Sequence, residues 1–256
     1  MATLARAQTI VILGANSSYD TDELAAQAVL ESGGHASVVI GPNIPTYTGG
    51  DLSGVSAVVL LDGDQTGNGY NMPIAGQTAL LNFVNAGGGL VTAEWSVWSA
   101  HAESNSSTLA AAFPVVPTST YDATPSITYG IGTPNATLDY NLPSSFSFTA
   151  DNIGGTETQF APLPGGTAFI TSSGSLDWGT ADGLIGWNYG SGRVASFSTL
   201  VGPTELSDPN YAQLFNNAVN YAAGINPPSA PEPSTWAMML GSLGALVYLR
   251  RRVARV

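Results

Sequence analysis

Glu94 and His101 are the pair in this sequence placed to exchange a proton. His101 follows Glu94 by seven residues, and both come after the same apolar run, so they can face one cleft as an acid–base pair. The alternative is a polar loop that carries one histidine. The only other histidine, His35, follows Gly33-Gly34 and reads as a surface residue. Asp62 and Asp64 open a second candidate. Two aspartates two apart, with Gly67 at the sixth position, imitate the start of a calcium loop. Position twelve is Pro73 where a bidentate glutamate is needed, so this is no EF-hand. What remains is a weak Ca2+ site or a Gly/Asn loop. Trp95, Trp98 and Trp178 could stack on sugar rings, while Trp187 alternates within a strand and is expected to be buried. There is no Gly-x-Ser-x-Gly elbow and no cysteine, which removes the serine-elbow and thiol nucleophiles, disulfides and thiolate metal sites.

The elements that must position these side chains follow from apolar patterning. Thr9–Gly14 is a β-branched run of a strand buried on both faces. A helix follows, capped by Asp20 with Glu23 as reciprocal partner, lined by Leu24, Ala25, Ala28 and Val29, and ended by Gly33-Gly34. Val38–Gly41 and Ala57–Leu61 are the next strands. Thr78–Ala86 is a helix with Leu80, Leu81 and Val84 inward, and Leu90–Ala93 is a fourth strand. This alternation argues for βαβ units, a parallel sheet and helices on both faces. From about 113 to 175 helical periodicity disappears, and short runs such as Ser145–Thr149 and Ala168–Thr171 mark a β-rich insertion at the sheet edge. Leu184–Asn188 and Arg193–Thr199 form a hairpin turned by Gly190 and Gly192. Asp208 and Pro209 then open a helix with the stripe Tyr211, Leu214, Phe215, Ala218 and Ala222, ended by Gly224.

The chain holds 256 residues, of which only 9% are charged and 44% hydrophobic, with no lysine. Between Gln8 and Ala230 stand 17 acidic residues and one arginine, Arg193, a net of 16 negative charges. Such a surface repels nucleic acid and offers no basic patch for phosphate. The hydrophobic fraction is enough for a core, so the low charge describes a neutral, solvated surface rather than disorder.

The C-terminal end reads differently. Pro231-Glu232-Pro233 precedes the uncharged run Trp236–Leu249, fourteen residues long, and then Arg250-Arg251-Arg252. As a helix this run reaches only ~21 Å against a hydrocarbon core of ~30 Å, so it is a marginal anchor helped by its interfacial flanks. The arginines stay on the cytoplasmic side, which places the body across the membrane. Tripeptide, short apolar helix and basic end, in that order, resemble the PEP-CTERM sorting signal. That resemblance implies export in a Gram-negative bacterium, recognition and cleavage by an exosortase, and delivery to the cell surface or an exopolysaccharide matrix. An ordinary membrane anchor is the plainer alternative. At the other end, Ala5-Arg6-Ala7 before Gln8 has the small-x-small form of a signal-peptidase site without an apolar run before it. Residues 1–7 therefore read as the remnant of an export signal.

The body carries a second resemblance. Gly87-Gly88-Gly89-Leu90-Val91, Gly190-Ser191-Gly192-Arg193-Val194 and the late helix ending Asn217–Gly224 are similar to the class I glutamine-amidotransferase-like fold, in particular its ThuA-like branch. This implies a flavodoxin-like three-layer sandwich with its site at the carboxyl ends of the strands. It also places the amidotransferase cysteine on the turn Ala93-Glu94-Trp95-Ser96, where Glu94 stands instead. The family's His-x-Glu has no counterpart in Ser198–Pro203. The fold is implied without its glutaminase chemistry.

The organisation expected is thus residues 1–7, an α/β domain over 8–225, a stiff linker over 226–230 and a sorting and anchoring segment over 231–256. The fold class is α/β: a three-layer sandwich with a mostly parallel sheet, the β-rich insertion, and one apolar C-terminal helix. The function read from it is an exported matrix or surface protein with a non-enzymatic structural or binding role and no required cofactor. Its partners are an exosortase, the membrane and extracellular polysaccharide, and not nucleic acid. Two rivals stay open: a carbohydrate hydrolase using Glu94 with Asp62, Asp64 or His101, and a calcium-dependent adhesion module.

Overall fold

The computed structural model describes residues 8–14, 20–50, 52–61, 71–101, 106–122, 124–152, 155–173 and 180–227. The chain divides into two compact units, 1–226 and 227–256; of the second only Pro227 is described. The predicted apolar helix, with Pro231, Glu232, Pro233 and Arg250–Arg252, lies outside the described residues, as do residues 1–7.

The first unit opens with β1 (Thr9–Leu13), α1 (Asp20–Ser32), β2 (Ser37–Ile40), β3 (Val55–Leu60), α2 (Ile74–Asn85), β4 (Gly89–Thr92) and α3 (Glu94–His101). Then come β5 (Val115–Asp122), β6 (Ser126–Ile131), β7 (Ser145–Thr149), β8 (Glu157–Pro162), β9 (Thr167–Ser173), β10 (Thr180–Tyr189) and β11 (Gly192–Phe197). Two helices close it, α4 (Pro203–Leu206) and α5 (Pro209–Ala223).

Nine strands form one sheet in the order β2-β1-β3-β4-β11-β10-β9-β6-β7, and β5 pairs with β8 in a separate small sheet. The first five run parallel, joined through β1–β2, β1–β3, β3–β4 and β4–β11. Their order is that of a doubly wound sheet whose direction reverses beside β1. Period-2 alternation gives this half two cores. Ile10, Ile12, Val59, Val91 and Phe197 meet Ala26 and Leu30 of α1 and Leu214, Phe215 and Ala218 of α5. On the other face Leu13, Val58, Leu60, Leu90 and Val194 meet Leu80 and Val84 of α2 and Val97 and Ala100 of α3.

The other four pairings, β11–β10, β10–β9, β9–β6 and β6–β7, are antiparallel. The sheet is therefore half parallel rather than mostly parallel. In the stretch read as a β-rich insertion, β6, β7 and β9 extend the main sheet at its edge, while β5 and β8 pair apart from it. Consecutive strands joined by short turns, as β10 and β11 are, pair antiparallel. The β10–β11 hairpin closes through Gly190-Ser191, with Gly190 at φ 58°.

Helix α5 follows its sequence signals. Asp208 Oδ1 accepts from the amides of Asn210 and Tyr211 at 2.9 and 3.0 Å, and Gly224 ends the helix at φ 71°. Helix α1 is rotated from expectation. Glu23, Ala26 and Leu30 face inward, while Leu24 is 54% exposed. Gly14 at the end of β1 makes this possible, because a Cβ there would lie 1.2 Å from Glu23 Oε1. His35, expected at the surface, is buried beside Asn216, and that burial lowers its pKa.

Candidate functional site

Open α/β sheets place their sites beyond the carboxyl ends of the parallel strands. There β4 runs directly into α3, so Glu94 is the first residue of a helix rather than of a loop. Nothing periodic announced α3, because it is buried nearly all round. Its Ser96 Oγ donates to the Leu60 carbonyl at 3.0 Å, pinning it across the end of β3. Glu94 N donates to the Thr199 carbonyl at 3.0 Å, holding α3 against the end of β11.

The Glu94 carboxyl is 2% exposed. Thr158 Oγ1 of β8 donates to its Oε1, and among the described residues its Oε2 has no partner. Burial pushes its pKa up to about 8; the Thr158 bond opposes this, and the nearby Glu157 and Glu205 add to it. At neutral pH this carboxyl carries a proton.

Around it lies a polar network that the sequence patterns did not disclose. Glu157 accepts from Ser198 Oγ at 2.5 Å and from Ser172 Oγ at 2.7 Å. The Tyr129 hydroxyl lies 3.1 Å from Ser198 Oγ and 3.2 Å from Thr199 Oγ1. Thr199 Oγ1 is 2.8 Å from the Tyr211 hydroxyl, which donates to the Leu200 carbonyl at 2.7 Å. Both tyrosine hydroxyls have pKa values raised by burial. Glu205 of α4 accepts from Asp151 N at 2.6 Å and Gly202 N at 3.1 Å. Its pKa too is raised by burial, against those amide bonds. Ser198 and Thr199 stand at the strand end where the resemblance leads one to look for His-x-Glu. They hold hydroxyls in place of an imidazole.

His101 ends α3 and does not join this network. One ring nitrogen bonds the Val115 backbone, Nε2 has no partner among the described residues, and the ring meets Phe113 edge-on at 6.2 Å. Burial lowers its pKa. At 1.5 Å per residue it stands ~10 Å along the helix from Glu94, too far for direct proton exchange through a hydrogen bond. The Glu94/His101 pair is therefore not formed. Asp62 and Asp64 lie outside the described residues, so neither the calcium loop nor a carboxylate pair with Glu94 is placed. Among the described residues no group of three or more His, Cys, Asp or Glu could hold a metal ion. Trp95 is buried and Trp98 half-buried, and their rings meet edge-to-face at 6.4 Å and 74°. Trp187 is half-buried and donates Nε1–H to the Ala112 carbonyl at 2.8 Å. Trp178 lies outside the described residues.

Among the described residues no helix is long and apolar enough to cross a membrane. Residues 229–253 match the PEP-CTERM protein-sorting motif. Comparison with curated proteins gave no match. Among solved structures the body is similar to a ThuA-like protein from Parabacteroides merdae, at 14% identity and TM-score 0.61, over 88% of this chain and 93% of that one. It is also similar to a cytoplasmic protein from Salmonella typhimurium LT2, at 16% identity and TM-score 0.63, over 84% of this chain and 99% of that one. A β-galactosidase from Bacillus circulans sp. alkalophilus matches at 12% identity and TM-score 0.60, over 87% of this chain but 32% of its own. The chain carries a PEP-CTERM signal, which marks it as an exosortase-sorted exported protein, behind a mixed α/β body that shares its fold with ThuA-like proteins.

Proposed function

We propose that this protein is a non-enzymatic structural or binding component of an extracellular polysaccharide matrix. Its tail holds it in the inner membrane until an exosortase cuts it, and the body is then delivered to the cell surface or matrix. The observation that carries this reading is the state of Glu94. The resemblance puts it at the position of the amidotransferase nucleophile, yet it is closed from solvent, protonated, and hydrogen-bonded to Thr158. A carboxyl so held forms no thioester. The sorting motif supplies the destination. A glycosidase among the fold neighbours supports carbohydrate as the material met there.

The test incubates the full chain with polysaccharide purified from the matrix of the producing cells. Sedimentation of protein with polysaccharide of unchanged chain length is expected. Shortening of the polysaccharide by the wild type, lost in Glu94→Gln, would establish a hydrolase instead.

That hydrolase is the second reading, and one observation favours it: a carboxyl with a pKa of about 8 is protonated when a glycosidic oxygen needs a proton. It lacks a placed second carboxylate, since Asp62 and Asp64 lie outside the described residues. The calcium-dependent adhesion reading rests on the same two aspartates. Calorimetric titration with Ca2+ decides it, and absence of heat at millimolar metal removes it.

A further inference from the structure

Strand β7 ends the nine-stranded sheet, and among the described residues no strand pairs with its outer side. The Ala150 amide donates to the Pro125 carbonyl at 2.8 Å and the Ile131 amide to the Ser144 carbonyl at 3.0 Å. Backbone groups alternate along an antiparallel pair. Phe146 and Phe148 therefore turn theirs to β6, while Ser145, Ser147 and Thr149 turn theirs away from the sheet. The side chains alternate as well. Phe146 and Phe148 enter the core, and Ser147 and Thr149 are exposed, as is Ser126 opposite Thr149.

At this edge a cleft of about 330 Å³ opens to solvent, lined by Ser126, Ser147 and Thr149 and by Ser207, Asp208 and Pro209 at the start of α5. That volume lies at the small end of the range for ligand sites, about 300–1,000 Å³. The bonds already made inside the protein set what the cleft can offer. Asp208 spends Oδ1 on the amides of Asn210 and Tyr211, which leaves Oδ2 as an anionic acceptor. The Ser207 hydroxyl donates to the Thr204 carbonyl at 2.7 Å and so presents its lone pairs. The hydroxyls of Ser126 and Thr149 can donate and accept, and the outward amides of Ser147 and Thr149 add donors.

This set of groups selects the ligand. No Lys, Arg or His lines the cleft, so an anion would meet the Asp208 carboxylate without a balancing charge. One carboxylate, half spent on a helix end, is a poor cage for a divalent cation, which takes several oxygens. A neutral molecule dense in hydroxyls meets every group: it donates to Asp208 Oδ2 and Ser207, accepts from the edge amides, and does both with Ser126 and Thr149. We propose that this cleft between the β7 edge and the start of α5 binds a neutral sugar unit. The inference rests on the matrix-binding reading above and names a recognition site for it.

The test titrates the full chain calorimetrically with galactose, mannose and glucose. Asp208→Asn and Thr149→Val are the variants. Asparagine caps a helix as well as aspartate does but removes the anionic acceptor, and valine keeps the shape of threonine without its hydroxyl. Saturable heat is expected with at least one sugar, about tenfold weaker in affinity for each variant. No saturable heat with any sugar, or equal affinity in all three proteins, overturns the proposal. Heat with Ca2+ and none with sugar makes the cleft a cation site and overturns it too. So does a chain that sediments as a dimer and ignores all three sugars, which assigns the β7 edge to a second copy. Sedimentation with matrix polysaccharide separates this site from the broader reading. If wild type and variants sediment alike, the cleft falls and the matrix reading stands. If the wild type does not sediment, the matrix reading itself falls.

Discussion

Thr158 Oγ1 donates a hydrogen bond to Glu94 Oε1, tying the end of β4 in the large sheet to β8 in the small one. Among the described residues the other carboxyl oxygen has no partner and this is the only hydrogen bond to the Glu94 carboxyl. Thr158→Val keeps the shape and deletes the donor. A loss of about 1–3 kcal/mol is expected in urea unfolding, with an unchanged m-value. A neutral result would mean that Glu94 finds solvent or another partner.

Glu94 also sets a pH dependence of stability. Below its ordinary value of 4.5 the carboxyl is protonated in both folded and unfolded chains, and its contribution is fully present. As pH rises toward about 8 the unfolded chain releases the proton while the folded chain keeps it. Stability therefore falls across that window by up to ~1.4 kcal/mol per pH unit, and the loss is complete once the folded carboxyl ionises. Glu205, shifted in the same direction, adds to the slope. Thermal unfolding at several pH values should show Glu94→Gln with a flatter slope and a relative gain at pH 8. An unaltered slope would remove Glu94 as its source.

Glu157 is fully buried and accepts from Ser172 and Ser198. Glu157→Ala leaves the Ser172 hydroxyl short of an acceptor, leaves Ser198 Oγ the Gly183 carbonyl at 3.2 Å, and opens a cavity, so about 2–5 kcal/mol should be lost. Ser172→Ala removes one donor and should cost less, about 1 kcal/mol. Guanidinium titration orders the two, and the reverse order contradicts the network.

The approach of α5 to β4 requires Gly89. A Cβ there would lie 2.4 Å from the Ala222 carbonyl carbon, which is backbone and cannot swing aside. Gly89→Ala should cost about 1–3 kcal/mol through displacement of α5. Gly50→Ala, where a Cβ meets nothing within 4 Å, is the control and should change little.

What the sequence discloses differs by element for physical reasons. Helix α5 was legible because Asp208, Pro209, one apolar stripe and Gly224 all state the same helix. The β10–β11 hairpin was legible from its glycines. Helix α3 was not, since burial on every side erases the period that betrays an amphipathic helix. The antiparallel strands are legible as β-rich runs at the sheet edge, but their order and partners are not, because short alternating runs do not say which strand they join. In α1 Glu23 faces inward where Gly14 leaves it room, an accommodation that the apolar pattern cannot show. Glu94 was singled out by its place after a strand. Glu157 and Glu205 were missed, because a buried acid is recognised by hydroxyl and amide partners from distant segments.

The most direct test of the whole account is fractionation of the producing cells expressing the full chain or residues 1–230. The full chain should be found in the surface or matrix fraction with its C-terminal segment removed, and the truncated chain should be lost from that fraction. Full-length protein retained in the cytoplasm, or both forms distributed alike, would contradict the account.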